Sequence, residues 1–132
     1  MLVKVFGAAM QGIDALTVTI EVNCSQGIHF YMVGLADTAV KESHERIRSA
    51  LQHNGYKFPH RQLIINLAPA DLRKEGSAYD LPLALGLLAA AEEISAEKPG
   101  RYMLMGDLSL DGPILPIRGP PPHAIPAPAH RH

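Results

Sequence analysis

Cysteine, tryptophan and long apolar runs are scarce or absent in this chain of 132 residues. It has one cysteine and no tryptophan, and aromatic residues make up only 5% of it. A single cysteine excludes an internal disulfide and is typical of a reducing compartment. The longest stretch without charge or strong polarity, 81–91, is well short of the roughly 20 residues that a membrane span needs. We therefore expect no membrane segment and a cytoplasmic location.

Charge of one sign is also lacking. Twelve Lys and Arg residues are balanced by 13 Asp and Glu residues, which gives a formal net charge of -1. This balance excludes a global positive field that would hold the domain on nucleic acid, so any DNA contact has to come from a local patch. With 47% hydrophobic and 19% charged residues, the composition is typical of one globular domain.

Motifs for nucleotide and metal chemistry are missing as well. No glycine is followed by lysine, so the chain has no phosphate-binding loop of the G-x-x-x-x-G-K-[ST] type, and it has no G-x-G-x-x-G. His44 and His53 are nine residues apart on a predicted helix and point in different directions, so no metal site is expected. Cys24 closes a predicted strand and has no neighbouring His or basic residue, which favours an inert thiol. We expect this chain to bind no cofactor.

Hydrophobic periodicity predicts one domain over residues 1–117, which is either an α+β or a mixed α/β sandwich. Residues 15–24 alternate apolar and polar side chains, which is typical of a strand with one buried face, and the turn that follows predicts a hairpin with 28–34. The predicted order is β-β-β-α-β-α-β-β, with strands at 2–10, 15–24, 28–34 and 60–68 and two strands within 102–117.

Two helices are predicted between these strands. The first begins at Asp37 or Thr38, which can cap it, and ends before Gly55, which suits a left-handed C-terminal position. The second begins near Asp80, with Pro82 in its first turn. Because the second helix is apolar nearly all round, we expect it to be the central buried helix.

The last segment, 118–132, differs from the rest in composition. It contains five of the 11 prolines and three of the seven histidines. Proline lacks the backbone donor and is excluded from helix interiors, so this Pro- and His-rich tail is predicted to be extended or disordered and to lie outside the core.

Six basic residues are candidate contacts for nucleic acid or another anion. They are Arg46, Arg48, Lys57, Arg61, Arg73 and Lys74. Glu42 lies four residues before Arg46 and can neutralise it, and only Tyr56 and Phe58 are nearby rings for base stacking. A solvated helix of mixed charge is the alternative interpretation.

The polar loop 69–80 precedes the buried helix and has two possible roles. It could present backbone N–H groups to an anion at the helix N-terminus. Alternatively it is a structural turn, with Gly76 at the turn, Asp80 as the cap and solvated Arg73 and Lys74. Glu75 and Ser77 complete the loop motif.

Four segments carry a resemblance to a known family. They are FYMVGLADTAVKES (30–43), RIRSAL (46–51), INLAPADLRKEGSAYDLPLALGLLAA (65–90) and GDLSLDGPILPIRG (106–119). Over about residues 1–119 the chain resembles the N-terminal domain of the magnesium-chelatase-like AAA+ family of the ComM/YifB type. The resemblance implies a ribosomal protein S5 domain 2-like α+β sandwich, with the helices on one face of the sheet.

That fold is shared with the proteolytic domain of Lon, but the resemblance does not imply protease activity. Comparison with the Lon motifs puts Ala78 at the position of the nucleophilic Ser and Pro121 at the position of the Lys base. Ser77 stands one position early. Alanine has no nucleophilic atom and proline has no amine that could act as a base, so no catalytic residue is assigned.

The resemblance implies two alternative functions. In the first, the chain is a non-catalytic accessory domain of an AAA+ motor that assists ring assembly and DNA handling, as in ComM-type branch migration during natural transformation. In the second, it is a protein-interaction module that docks a partner or its own AAA+ module without touching DNA. The full-length protein is expected to be a hexameric ATPase, with ATP and magnesium bound only by the ATPase module, which this chain lacks.

Overall fold

The computed structural model describes residues 1–59, 61–92, 94, 102–110, 114–115 and 124–126. The strands are β1 (Leu2–Gln11), β2 (Asp14–Ser25), β3 (Phe30–Val33), β4 (Gln62–Ala68), β5 (Tyr102–Leu104), β6 (Asp107–Leu108), β7 (Ile114–Leu115) and β8 (Ala124–Pro126). The helices are α1 (Thr38–Lys41), α2 (Ser43–His53) and α3 (Asp80–Ala90), and a 3-10 turn covers Ser77–Tyr79. An α+β chain is therefore confirmed.

A six-stranded mixed sheet in the order β3-β4-β2-β1-β5-β8 forms the centre of the fold. β1 and β2 form a long antiparallel hairpin that turns between Gln11 and Asp14. The predicted hairpin between β2 and β3 is wrong, because β4 lies between them, antiparallel to β2 and parallel to β3. The short turn after β2 indicates only that the chain changes direction. Which strand becomes the neighbour is decided by the distant residues 62–68, which pair on both sides.

One face of this sheet is apolar across four strands. The paired residues Val5 and Ile20 are fully buried, and Ile20 pairs on its other side with Leu67, which is also fully buried. The same alternation places Met32 of β3 opposite Ile65 of β4. This period-two pattern confirms that β2 has one buried face.

Both long helices lie against this apolar face. Ten of the 11 residues of α3 are buried, and a Cβ built on its Gly86 would lie 2.9 Å from a methyl carbon of Val22. The ring of His44 in α2 stacks on Phe30, which shares the apolar face. The prediction that the second helix is buried is therefore confirmed.

The first predicted helix is divided at Glu42 into α1 and α2. Asp37 is its N-cap, since the Oδ1 atom of Asp37 accepts a 2.8 Å hydrogen bond from the backbone N–H of Val40. Gly55 has φ +81°, so the predicted left-handed residue after the helix is confirmed.

The C-terminal part contains more strands than predicted. β5 pairs in parallel with β1, and β6 and β7 pair antiparallel on either side of residues 111–112. Within the predicted tail, Ala124–Pro126 forms β8 and pairs with β5, so these three residues are extended. The rest of 118–132 lies outside the described residues, and the domain boundary near 117 stays a prediction.

The turn after β3 depends on a glycine. Gly34 has φ +110°, and a Cβ on it would lie 2.2 Å from the carbonyl oxygen of Leu67. We predict that Gly34→Ala lowers the free energy of unfolding by about 3 kcal/mol or more, because it adds a backbone clash to an unfavourable dihedral angle. Gly55→Ala is the matched control: its φ is also positive but no atom lies within 4 Å, so a decrease of only about 1 kcal/mol is expected. Urea unfolding measures both, and equal decreases would contradict this account.

Candidate functional site

Lys74 belongs to the loop that precedes α3, and its side chain is fully buried. Its Nζ donates hydrogen bonds of 2.8 Å to the carbonyl oxygens of Gly34 and Leu67, and a third to the carbonyl of Pro69. An ammonium group has three protons, so all of its donors are used. The prediction of Lys74 as an anion contact is corrected here, because its charge is satisfied inside the protein and does not reach the surface.

Backbone hydrogen bonds of Lys74 connect the loop before α3 to the segment between β3 and α1. The Lys74 N–H donates to the carbonyl of Leu35, its carbonyl accepts from the N–H of Asp37, and both distances are 3.0 Å. The N–H of Gly76 donates to the Asp37 carboxylate at 3.3 Å. Burial lowers the pKa of Lys74, and the nearby Asp71 carboxylate opposes that shift. These contacts favour the structural interpretation of Lys74 and Gly76.

Arg46 and Asp80 form an ion pair between α2 and the start of α3. Arg46 Nε lies 2.6 Å from Asp80 Oδ2, and its Nη2 lies 2.9 Å from Oδ1. Asp80 is fully buried and also accepts a 3.2 Å hydrogen bond from the N–H of Leu108. Burial raises the pKa of Asp80, while the hydrogen bond from Arg46 opposes the rise. The predicted capping role of Asp80 is corrected, since Tyr79 is the N-cap of α3 and Asp80 is its first residue, with its carboxylate bound to Arg46.

The exposed part of the loop carries charges of both signs. Arg73 Nε is 2.8 Å from a carboxylate oxygen of Glu75, and both side chains are well exposed. Ser77 donates a 2.9 Å hydrogen bond to Asp107. A cleft of about 550 Å³ opens here, lined by Asp71, Arg73 and Glu75 among others, and we call it the mixed-charge cleft. Because the lining of this cleft carries both positive and negative side chains, the cleft does not favour the binding of a simple anion.

Tyr79 is one of the residues that line this mixed-charge cleft. It is almost completely buried, and its hydroxyl donates a 2.9 Å hydrogen bond to the carbonyl of Ala8. Burial raises the pKa of Tyr79 to about 12, so the hydroxyl remains a donor at neutral pH. It acts as a fixed structural contact between the loop and β1.

A second cleft, of about 230 Å³, brings two other predicted residues together. Arg48 of α2 and Arg61 before β4 both line it, and Lys57 is exposed on the adjoining segment. The other lining residues are mostly rings and apolar side chains: Ile28, His29, Phe30, His44, Phe58, Pro59 and Leu63. We call this the basic-aromatic cleft.

The rings of the basic-aromatic cleft form a connected cluster, which we call the ring stack. The centroids of Phe30 and His44 are 4.0 Å apart with planes 14° from parallel, whereas the Phe58 ring is 5.0 Å from His44 and tilted by 52°. The guanidinium carbon of Arg48 lies 4.5 Å from the Phe58 centroid, within the range of a cation–π contact. Its Nη2 is 3.3 Å from His44 Nε2. The Arg48 guanidinium is thus held by two aromatic neighbours.

The neutral form of the His44 imidazole is suited to bind the Arg48 guanidinium. Burial lowers the pKa of His44, the positive charge of Arg48 lowers it further, and Glu45 partly opposes both effects. A neutral imidazole can accept the Arg48 hydrogen bond at Nε2 if its proton is assigned to Nδ1. His44 Nδ1 lies 3.6 Å from a Glu45 carboxylate oxygen, which favours that assignment.

Ion pairing separates the candidate cations into two groups. Arg46 and Arg73 each lie within salt-bridge distance of a carboxylate. Within the part of the chain that the structure describes, no carboxylate pairs with Arg48, Lys57 or Arg61. The three candidate cations that keep their charge available therefore lie at or beside one cleft, whereas Lys41 of α1, which is exposed and has no carboxylate partner in the described ranges, does not line it.

The ring stack was missed by the sequence interpretation. Phe30 and His44 belong to different elements, and only Phe58 and Tyr56 were noted as rings near the basic residues. Two sequence patterns were relevant: the strand alternation places Phe30 on the apolar face of the sheet, and His44 is the second residue of α2. Neither pattern alone predicts that the two rings meet.

Neither a metal-ligand cluster nor a membrane helix occurs among the described residues. No group of three or more His, Cys, Asp and Glu side chains could hold a metal ion there, and Cys24 is a buried free thiol. The helices in the described ranges are too short or too polar to cross a membrane.

Comparison with known proteins now places the chain in a family. The family model described as subunit ChlI of Mg-chelatase matches residues 20–132. The chain belongs to this family. The chain is 47% identical over 112 residues to the uncharacterized protein YifB of Escherichia coli K12, which covers 84% of the chain and 22% of YifB. It is 41% identical over 116 residues to the competence protein ComM of Haemophilus influenzae, which covers 87% of the chain and 23% of ComM.

The resemblance drawn from the four sequence segments is thereby confirmed. The chain spans about a fifth of the length of the curated relatives it matches. Three of the four segments contain residues that hold this member of the Mg-chelatase subunit family together: Gly34, Arg46, Lys74 and Asp80.

The Lys74 contacts make a direct prediction about stability. Lys74→Met keeps the apolar stem but leaves three carbonyl oxygens without their donor, so the free energy of unfolding should fall by about 3 kcal/mol. Arg73→Met is the control, since Arg73 is exposed and its replacement should cost no more than about 0.5 kcal/mol. Urea unfolding of the two variants tests this difference, and a tolerated Lys74→Met would contradict the structural role.

His44 predicts a pH dependence of stability. Its pKa is lower in the folded state than the ordinary value of 6.5, so the unfolded chain takes up the proton more readily as the pH falls. The contribution of neutral His44 is complete above pH 6.5 and is lost as the pH falls through the lower folded pKa. We expect His44→Phe to flatten the decline of the melting temperature between about pH 7 and pH 5. His53→Gln, on the exposed end of α2, should leave the decline in place, and an unchanged slope in His44→Phe would refute the assignment.

Proposed function

We propose that this chain is a non-catalytic accessory domain of a magnesium-chelatase-like AAA+ protein, and that it assists ring assembly and DNA handling. Membership in the family supports an accessory domain of that family. In the proposal, DNA is contacted at the basic-aromatic cleft. The observation that carries it is that three of the six candidate cations, Arg48, Lys57 and Arg61, have no carboxylate partner within the described residues and lie at or beside this cleft.

Cations that no carboxylate neutralises are the groups that a phosphate backbone can use. Binding of phosphates to Lys and Arg releases condensed counterions, whereas a cation already paired with a carboxylate would first have to leave its partner. A guanidinium also presents a planar fork of donors to phosphate oxygens. Since the formal net charge is -1, a single domain would bind weakly, and several copies in a ring would add their contacts.

The same proposal includes the ribosomal protein S5 domain 2-like fold and the absence of protease chemistry. A mixed sheet with α2 and α3 on one face supports the fold. The Ser77 hydroxyl donates to Asp107, and the Lys74 ammonium is occupied by three carbonyls, so neither provides an activated nucleophile or a free base. ATP and magnesium would be bound by an ATPase module, in a hexameric cytoplasmic protein.

The mixed-charge cleft favours the second candidate function, a surface that docks a protein partner or the AAA+ module. Asp71, Arg73 and Glu75 place both signs of charge beside an opening of about 550 Å³. Alternating charges suit a complementary protein surface better than a uniformly negative backbone. This cleft and the basic-aromatic cleft have no lining residue in common.

A titration with DNA tests the proposal. Fluorescence anisotropy with labelled single-stranded, duplex and forked DNA at two salt concentrations should show binding that weakens with salt. Replacing Arg48 and Arg61 by Ala should reduce affinity for all three substrates and lower the salt slope by about 2, which is about one for each cation removed. Arg73→Ala, which removes a cation already paired with Glu75, should leave the slope unchanged.

The opposite outcomes separate the two functions. Equal decreases of affinity in Arg73→Ala and in the Arg48 and Arg61 double variant would remove the basic-aromatic cleft as the DNA contact. Absence of salt-dependent binding to any substrate would reject DNA handling by this domain and favour the docking function.

A further inference from the structure

The basic-aromatic cleft contains a stack that is already assembled in the free protein. Phe30 is fixed on β3 opposite Leu63, and Phe58 is only 5% exposed. The His44 ring on α2 contacts both, stacked on Phe30 at 4.0 Å and tilted against Phe58 at 5.0 Å between centroids. The Arg48 guanidinium is held by both Phe58 and His44. Four flat groups from three parts of the chain thus line one opening.

The size and chemistry of this opening limit what it can hold. Its volume of about 230 Å³ lies below the range of about 300–1,000 Å³ that is usual for drug-sized ligands, so it suits a single small ring system. Apolar and aromatic walls favour a flat group over a flexible charged one. Phosphate alone would use the cations and make no use of the aromatic walls, whose Phe30 and Phe58 rings also pack in the hydrophobic core.

Nucleic acid supplies both kinds of group in one ligand. A base stacks on aromatic side chains and on the plane of an arginine, while its phosphates bind nearby cations. Arg61 and Lys57 are exposed beside the rings and can serve the phosphates. In a duplex the base faces are covered by their neighbours, so the available ligand is an unpaired base.

We propose that the basic-aromatic cleft binds an unpaired nucleobase of single-stranded nucleic acid, on the stack of Phe30, His44, Phe58 and Arg48. This inference rests on the proposed function and adds the ligand class to it. The flat groups give a preference for strands with bases, whereas the positive charges of Arg48, Arg61 and Lys57 attract the backbone whatever it carries.

An abasic strand separates the two contributions. Anisotropy would compare a fluorescein-labelled oligothymidylate of about 16 nucleotides with a strand of equal length made of abasic residues, which has the same phosphates and no bases. We expect the wild-type chain to bind the thymidylate strand about tenfold more tightly, as one stacked base would give. This comparison needs no variant, so it does not depend on whether a mutant folds.

Variants then locate the preference. Phe30→Leu keeps an apolar side chain but removes a ring, and it should bring the two affinities within about twofold while binding of the abasic strand is retained. Arg48→Lys keeps the charge and removes the plane, so it should lower the preference without changing the salt slope. Phe6→Leu is the control for removal of a buried ring, because Phe6 is 3% exposed on the opposite face of the sheet.

The outcomes distinguish this inference from the proposed function. Salt-dependent binding with equal affinity for both strands overturns base stacking and leaves the backbone contact standing. A preference that survives Phe30→Leu, or one that Phe6→Leu abolishes equally, overturns the assignment to this cleft. No binding of either strand overturns both proposals.

Discussion

The ammonium of Lys74 has three protons, and the fold supplies one carbonyl oxygen for each. Those carbonyls belong to Gly34, Leu67 and Pro69, so one side chain joins the end of β3, the end of β4 and the loop before α3. A buried charge is tolerated only when its donors are satisfied, which makes these three positions depend on one another. Gly34 is required for a steric reason as well, since any Cβ at position 34 would collide with the backbone of Leu67.

Internal charge pairing decides what remains for the surface. The Lys74 ammonium binds three backbone carbonyls, and the Arg46 guanidinium pairs with Asp80. Arg73 is neutralised by Glu75. The number of basic residues in the sequence is therefore larger than the number of positive charges available to bind an anion. The candidate cations that are left lie beside a ring stack, and this coincidence of available charge with flat groups supports a nucleic-acid contact over a diffuse electrostatic one.

The domain consequently has two distinct surfaces with different chemistry. The basic-aromatic cleft is bounded by α2 and the segments that precede β3 and β4, whereas the mixed-charge cleft lies beside the loop and β1. Because the Arg46–Asp80 pair joins α2 to α3, the helix that carries Arg48 is held against the same core as the loop. An accessory domain that contacts DNA on one surface and a protein module on the other is compatible with this arrangement.

Four features could be predicted from the amino-acid sequence: the alternating face of β2, the Asp37 cap, the buried α3 and the family resemblance. The three structural ones depend on residues a few positions apart, where periodicity and capping operate. The place of β4 between β2 and β3 and the partners of the buried charges follow from long-range packing instead. Arg46 and Asp80 are 34 residues apart, Lys74 and Gly34 are 40 apart, and no local pattern encodes such a pair. The ring stack has the same origin, because strand register and helix packing together bring Phe30 to His44.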